Sequence, residues 1–491
     1  MRDSQAFPVV GRRLESQSPF TRTAGSTRPP LLGSVPRMRR PLLLLVLLLL
    51  GACGGGSEPK ATATPAATAA AASESEQAAP ARLEHEQPCA EVPDARCATL
   101  RVPLDHGGAT PGTLDLKVAT SGPADAPVLV ILTGGPGQPA RYALPGARRR
   151  LESIDATGWR LVALDQRGTG AGALRCPALQ REMGASDLTP PTRAAVRACA
   201  DRIGDKRRYF ATTDTVADLD RLRQALGVER IALDGTSYGT YVAERYALDH
   251  PDRVSRLVLD SVVPHEGLEM TWAVPMQATA RVLGPQAARD LKTVVAREHD
   301  GPALLDTITG NMIGTPRLAG IRGALATAAR GDAGPLERIV AATQAAEHDY
   351  PARALSQGLH ASTLCADVPA PWGDASAPLA GRAAKLRRAA AGIDPGPFDR
   401  VTAIGNGVAQ QCLAWPPTPV RPPDLPADLP DVPTLLLAGT RDLSTPLEWA
   451  RAELAHAPGG RLLTVAGAGH SVQSQDRPQV QRALAQFLRR P

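Results

Sequence analysis

Aromatic residues and long apolar runs are scarce in this sequence. Phe, Trp and Tyr make up 3% of the 491 residues, although apolar residues as a whole make up 43%. The chain is long enough to bury a large core, which must therefore be built from Leu, Val, Ile and Ala. The apolar run at residues 42–50 has nine residues, too few for a transmembrane helix, which needs about 20.

An excess of positive charge is also absent from most of the chain. The formal net charge is +6, but the eight arginines and two acidic residues within residues 1–52 account for all of it. The remainder is neutral. Composition therefore offers no electrostatic reason to expect a nucleic-acid partner.

The N-terminal segment has the features of an export signal. Basic residues precede the apolar run 42–50, and Leu50-Gly-Ala-Cys53 follows it. This arrangement resembles a bacterial lipoprotein signal, which implies that Cys53 is lipidated and becomes the new N-terminus. An ordinary secretory signal with a coincidental Cys53 is the alternative. Residues 1–52 are left out of the fold prediction in either case.

A low-complexity segment follows Cys53. It is rich in Gly, Ala, Ser, Thr and Pro and buries too little apolar surface to offset the entropy lost on ordering, so we interpret it as a flexible tether. The predicted organisation is a leader (1–52), a tether (53–85), the first part of a catalytic core (86–263), a mostly helical cap (264–425) and the last part of the core (426–491).

Six cysteines remain after Cys53: Cys89, Cys97, Cys176, Cys199, Cys365 and Cys412. An even number in an exported protein suggests three disulfides, for which the sequence allows 15 pairings. Pairing between neighbours is favoured, namely Cys89–Cys97, Cys176–Cys199 and Cys365–Cys412. No C-x-x-C pair or close Cys/His cluster is present, so no metal site is expected.

The central motif is Gly235-Thr-Ser237-Tyr-Gly239, a G-x-S-x-G sequence. An apolar strand pattern ends just before it and a helical pattern follows, which is the context of a nucleophile elbow. Side chains on the two glycines would crowd the strand and helix where they pass. The motif predicts Ser237 as the nucleophile; a chance match in a glycine-rich chain is the alternative.

Strand and helix patterns alternate around this motif. Such alternation favours a mostly parallel sheet wound by helices, the α/β-hydrolase class, with the helical cap inserted before the last strands. An alternating segment at 114–119 predicts an additional antiparallel edge strand. The other runs predicted as strands are 127–132, 159–164, 228–233, 254–259, 432–438 and 460–465, of which the first two are expected to be buried.

Two further residues follow apolar strands, Asp442 and His470, and complete the chain order Ser, Asp, His. A serine hydroxyl needs a base to take its proton, which we assign to His470, and Asp442 would orient the imidazole. Asp260, which also follows a strand, is the rival acid. The N–H groups of Gly135 and Tyr238 are the predicted oxyanion donors.

Five motifs together suggest a family: G-G-P-G, D-Q-R-G-T-G, G-T-S-Y-G-T, G-T-R-D-x-x-T-P and G-A-G-H-S. This set resembles the prolyl- and tripeptidyl-aminopeptidase branch of the α/β-hydrolases, and looks closest to its secreted, lipidated bacterial members. The resemblance implies a serine peptidase without metal or organic cofactor, whose cap supplies acidic groups for the substrate's α-ammonium. It offers Asp367, which follows Cys365 by two positions, as an amine-binding or structural residue. Ala171 departs from the pattern, where relatives often carry Arg.

The leading hypothesis is an exported, lipid-anchored hydrolase that cleaves short peptides from free N-termini through an acyl-enzyme on Ser237. A carboxylesterase acting on small esters or amides with the same triad is the first alternative. A non-catalytic binding lipoprotein on a hydrolase scaffold is the second. The sequence does not indicate an oligomeric state.

Overall fold

A computed structural model gives the fold, and it describes residues 80–298, 300–348, 350–420 and 426–489. The leader, Cys53 and most of the predicted tether lie outside the described residues. Within the described part of the chain, every helix is too short or too polar to cross a membrane.

The described residues build one sheet of nine strands in the order β1-β2-β3-β5-β4-β6-β7-β8-β9. The antiparallel pairs are β1 with β2, β2 with β3, and β3 with β5. From β5 onward all neighbours are parallel. The strands are β1 (Leu83–Pro88), β2 (Arg96–Pro103), β3 (Thr113–Ser121), β4 (Val128–Leu132), β5 (Arg160–Leu164), β6 (Ile231–Thr236), β7 (Val254–Asp260), β8 (Thr434–Gly439) and β9 (Gly460–Val465).

Helices cover both faces of the sheet, as the continuous apolar runs predict. All five residues of β4 are buried. Val128 and Val130 belong to one hydrophobic cluster, whereas Leu129 and Ile131 belong to another on the opposite face. The predicted α/β-hydrolase class is therefore confirmed.

Sixteen α-helices accompany the sheet in the described residues. They are α1 (Leu144–Ser153), α2 (Pro177–Met183), α3 (Arg193–Ile203), α4 (Thr212–Ala225), α5 (Tyr238–Asp249), α6 (Ala273–Leu283), α7 (Pro285–Glu298), α8 (Gly301–Gly310), α9 (Leu318–Ala329), α10 (Gly334–His348), α11 (Gln357–Asp367), α12 (Arg382–Ala391), α13 (Arg400–Gly405), α14 (Gly407–Ala414), α15 (Leu447–Ala455) and α16 (Pro478–Leu488).

The long connection between β7 and β8 contributes helices α6 to α14 and, in its described residues, no strand to the sheet. It corresponds to the region predicted as a cap. A disulfide between Cys365 and Cys412 joins α11 to α14 within it. The other two disulfides are Cys89–Cys97 and Cys176–Cys199, so all three predicted pairings are confirmed.

Two sequence predictions at the start of the core are wrong. The segment predicted as an edge strand, 114–119, lies in β3 between β2 and β5, because two further strands cover its outer side. The tether was predicted to reach residue 85, but β1 begins at Leu83. Most of β1 is exposed, so it lacks the apolar alternation that identifies a strand in sequence.

Candidate active site

Ser237 occupies the turn between β6 and α5. Its backbone angles, φ 58° and ψ −129°, are unusual for a residue with a side chain. A Cβ on Gly235 would lie 2.4 Å from the carbonyl oxygen of Gly239, and one on Gly239 would lie 2.5 Å from that of Leu132. The strand, sharp turn and helix predicted for this motif are confirmed, and the two glycines permit the close passage.

Asp442 and His470 lie together at the carboxyl ends of β8 and β9. The imidazole Nδ1 lies 2.9 Å from one oxygen of Asp442 and 3.1 Å from the other. The amides of Ser444 and Thr445 and the Thr445 hydroxyl also donate to this buried carboxylate. These hydrogen bonds hold the carboxylate of Asp442 against the ring.

The environment of His470 favours its cationic form. Burial lowers the pKa of the imidazole, but the charge and hydrogen bond of Asp442 outweigh burial, and the charge of Asp260 adds to their effect. The pKa of His470 is therefore raised above its usual 6.5. A base with such a partner stabilises the proton that it takes from a nucleophile.

Asp260, the rival acid, has a different position. Its carboxylate accepts hydrogen bonds from the amides of Val472 and Gln473, at 2.9 and 2.8 Å, and its backbone carbonyl accepts one from the amide of Ser237 at 2.9 Å. Burial raises the pKa of this carboxyl to about 6. Asp260 connects the loop after His470 to the serine turn, while Asp442 contacts the imidazole.

The predicted oxyanion donors share one pocket with the serine. Gly135, Ser237 and Tyr238 all line it, together with Thr445 from the Asp442 loop. Neither the amide of Gly135 nor that of Tyr238 donates to another described residue. Both are therefore available to a developing negative charge.

Ser237 and His470 are not joined by a hydrogen bond in the described part of the chain. The hydrogen bonds of the imidazole run to Asp442 and Thr445 through Nδ1. Catalytic hydrogen bonds are often long without substrate and shorten in the complex, so this arrangement does not exclude the pair.

Asp367 lies at the end of α11, nearly fully buried. It accepts hydrogen bonds from the amide and the hydroxyl of Thr212, at the start of α4, and the Thr212 hydroxyl also contacts the phenol of Tyr238. Burial raises the pKa of Asp367 to about 6. The carboxyl thereby links the cap to the side chain of the residue that follows the serine.

An acidic wall, Asp187, Asp306 and Glu347, lines the same pocket as Ser237. Asp306 is buried and accepts hydrogen bonds from the hydroxyls of Ser186 and Thr189. Burial and the negative charges of Asp306 and Asp187 raise the pKa of Glu347 to about 8. Three carboxyl groups gathered in one partly enclosed pocket repel one another and favour a bound cation.

Sequence reasoning missed the acidic wall, Thr445 and a contact between the cap and His470. The amide of His470 donates to the carbonyl of Met312, and its own carbonyl accepts from the amide of Gly314, at 3.0 and 3.2 Å. Thr445 stands in the G-T-R-D-x-x-T-P motif, which could have identified it. The acidic wall and the Met312 segment carry no local signal.

Comparison with known proteins agrees with this geometry. Residues 127–315 match a family model described as "alpha/beta hydrolase fold", and residues 400–491 match one described as "TAP-like protein". Together the two matched segments include Ser237, Asp442 and His470.

Three proteins illustrate the sequence similarity of this chain to known peptidases. A probable proline iminopeptidase of Streptomyces coelicolor is 32% identical over 169 residues, which is 34% of this chain and 43% of that protein. A tripeptidyl aminopeptidase of the same organism is 31% identical over 192 residues, or 34% and 35% of the two chains. Serine protease Hip1 of Mycobacterium tuberculosis is 28% identical over 197 residues, or 36% and 38%.

The match with each of these relatives spans less than half of that relative's length. Both family models nevertheless fall on the sheet and on the loops that carry the three candidate residues. The chain has the α/β-hydrolase fold, and about a third of its length is similar to relatives named proline iminopeptidase and tripeptidyl aminopeptidase.

Proposed function

We propose that this protein is an exported serine hydrolase that releases short peptides from the free N-termini of its substrates. The observation that carries this proposal is the acidic wall, because its three carboxyl groups line the same pocket as Ser237. The names of the relatives, proline iminopeptidase and tripeptidyl aminopeptidase, support the same class of reaction.

The reaction proceeds through an acyl-enzyme. His470 takes the proton of the Ser237 hydroxyl as the oxygen attacks the scissile carbonyl, and Asp442 stabilises the resulting imidazolium. The amides of Gly135 and Tyr238 stabilise the oxyanion, where losing one donor typically costs about 3–4 kcal/mol. His470 returns the proton to the leaving amine, and a water molecule then hydrolyses the ester by the same steps.

The acidic wall makes a free N-terminus the preferred substrate end. An α-ammonium supplies a positive charge to the wall, because none of the described residues lining this pocket is Lys or Arg, and only Asp187 has a histidine partner, His360 at 3.0 Å. One carboxylate oxygen of Glu347 is buried without a hydrogen-bond partner among the described residues. A charge-assisted hydrogen bond to such a group contributes about 1.5–3 kcal/mol. A simple ester has no cationic donor that could form this hydrogen bond with Glu347.

Export is part of the proposal. Three disulfides stabilise the described part of the chain, and such bonds persist outside the reducing cytosol. The leader and Cys53 imply a lipid anchor in the cell envelope, with the tether separating the lipid from the enzyme.

The test compares tripeptide anilides with free and acetylated N-termini, using residues 54–491. The free form should be cleaved at least tenfold more efficiently, and Ser237→Ala should abolish cleavage. Equal turnover of both forms contradicts the exopeptidase assignment. Faster turnover of short nitrophenyl esters without amine dependence favours the esterase, whereas failure of a fluorophosphonate to label Ser237 favours the binding protein.

A matched pair of variants tests the acidic wall itself. Glu347→Gln removes a carboxyl group that can become negative when an ammonium binds, while Glu337→Gln changes an exposed residue of the same helix, α10. The first should raise KM for the free tripeptide anilide about tenfold, equivalent to about 1.4 kcal/mol of lost binding. The second should leave KM as it is, and equal effects of the two changes contradict the role of the wall.

A further inference from the structure

A second cavity lies in the cap, next to the nucleophile pocket. This cap groove, of about 830 Å³, lies between the loop that follows α8 and helices α9 and α10. It shares Gly310, Ile313 and Glu347 with the pocket that holds Ser237. The shared residues place the two cavities next to each other.

The position of Ile313 indicates which part of a substrate meets the cap groove. Its backbone forms a parallel bridge with His470, and the residue is 54% exposed. His470 is the group that must protonate the leaving amine, so the leaving segment starts beside it. Asp187 and Asp306 line the nucleophile pocket and not the groove. Most of the acidic wall therefore lies outside the cavity that would receive the leaving segment.

The cap groove also has a charge of its own. Arg317 and Arg338 line it, and neither guanidinium has a hydrogen bond or an ion pair with any described residue. Glu347, at the shared border, is the one acidic residue among the described lining residues. Beyond that border the groove therefore presents unpaired positive charge to whatever enters it.

We propose that the cap groove binds the leaving segment of a peptide substrate and prefers acidic residues in that segment. The inference rests on the proposed function, since only a peptidase has such a leaving segment. Ile313 supplies an apolar contact next to the scissile bond, and the two arginines supply the charge selection farther out.

The test uses peptides that share one N-terminal tripeptide and differ in the segment after the cleavage site. That segment is rich in Glu, Gln or Lys, and kcat/KM is measured by mass spectrometry for residues 54–491. For wild type, kcat/KM should be higher for the Glu-rich segment than for the Lys-rich segment. Each arginine should contribute about a two- to fivefold difference, as other exposed charge pairs do. The preference should shrink in high salt, because exposed charges are screened.

Two double variants separate the groove from general surface charge. Arg317→Ala with Arg338→Ala should remove the preference, whereas Arg387→Ala with Arg388→Ala, at exposed positions of α12 outside the groove, should retain it. Each preference is a ratio within one protein, so an overall loss of activity cancels. A preference that survives the groove variant overturns the proposal.

Two further results also overturn it. A wild type that cleaves the free tripeptide anilide but ignores the charge of the leaving segment refutes the groove proposal alone. A wild type that cleaves no free anilide refutes the proposed function and this inference together.

Discussion

Gly469 lies directly against the backbone of Met312: a Cβ built on Gly469 would come within 1.9 Å of the Met312 carbonyl oxygen. That oxygen accepts the hydrogen bond from the amide of His470. The cap segment between α8 and α9 and the loop of the candidate base are therefore fitted to each other. A displacement of this cap segment would move the imidazole with it.

Replacing Gly469 should consequently impair catalysis more than folding. In Gly469→Ala the new methyl group pushes Met312 away, and a displacement of about 1 Å at a reacting group typically costs about a hundredfold in rate. We expect kcat for the tripeptide anilide to fall by at least tenfold. Gly323→Ala, in α9 with open space around its Cβ position, is the control and should retain kcat. Similar kcat values for the two variants would contradict the coupling.

Replacing Asp442 and replacing Asp260 by Asn should have different effects. In Asp442→Asn the imidazole loses the carboxylate that stabilises its charge, and kcat should fall about 10⁴-fold, as in related triads. In Asp260→Asn the side chain loses one acceptor for the amides of Val472 and Gln473, which destabilises the fold by about 1–3 kcal/mol. Measuring both kcat and the unfolding midpoint for each variant separates the catalytic effect from the structural effect. A larger loss of kcat in Asp260→Asn than in Asp442→Asn would make Asp260 the catalytic acid.

The elbow and the sheet could be predicted because their signals are local. A strand, a glycine-flanked serine and a helix follow one another within about 20 residues, and the apolar runs mark the buried strands. The disulfides follow from the favoured pairing of neighbours. The strand at 114–119 was placed at the edge because most of β1 is exposed and its sequence lacks the apolar alternation that predicts a further strand.

The acidic wall could not be predicted because it is assembled from distant parts of the chain. Asp306 is held by Ser186, which lies 120 residues earlier, and Glu347 comes from another cap helix. A carboxylate on a helix is usually a solvated surface group, so nothing in the helical pattern distinguishes these two. Only the packing of the cap onto the core brings them to one pocket.

Asp367 should be a structural residue, and its amide variant tests this. Burial raises the pKa to about 6, against 3.8 for an ordinary Asp, so the folded chain binds a proton between about pH 4 and 6 that the unfolded chain does not. The contribution of this group to stability therefore increases as pH falls through that window, and the buried charge opposes folding at pH 7. Asp367→Asn keeps an acceptor for Thr212, so it should be more stable than wild type at pH 7 and lose this advantage near pH 4.

Chemical denaturation at pH 4, 5, 6 and 7 measures this difference. Selectivity for free over acetylated tripeptide anilides should be retained in Asp367→Asn. A selective loss of the free substrate would instead assign Asp367 to amine binding.

The cap disulfide should stabilise more than the short one near the N-terminus. Cys365–Cys412 closes a separation of 47 residues and Cys89–Cys97 one of 8. The loss of loop entropy in the unfolded chain should stabilise the fold by about 4 kcal/mol for the longer loop and about 2.5 kcal/mol for the shorter one. Replacing each pair by two serines and comparing the free energies of unfolding tests the order. The variant without Cys365–Cys412 should also lose activity at a lower temperature than the variant without Cys89–Cys97, because α11, which the cap disulfide joins to α14, carries Asp367. Equal losses of activity would mean that the cap does not depend on this disulfide.

The acidic wall predicts how substrate affinity depends on pH. Burial and the charges of Asp306 and Asp187 raise the pKa of Glu347 to about 8, so at pH 7 the free enzyme holds a proton there. A bound α-ammonium favours the carboxylate and expels that proton. KM for the free tripeptide anilide should therefore fall as pH rises from 6.5 to 8, by roughly five- to tenfold, and rise again as the substrate amine, with a pKa of about 8, loses its own charge.

The pH series must follow KM separately from kcat, because the titration of His470 acts on kcat. Glu347→Gln cannot release a proton, so its KM should show only the rise above pH 8, whereas Glu337→Gln should keep the wild-type curve. The acetylated substrate carries no ammonium and should give a flat KM with either enzyme. A minimum in KM that persists in Glu347→Gln would place the amine at another carboxylate, and a flat wild-type curve would mean that no carboxyl group of the wall exchanges its proton for the substrate's charge.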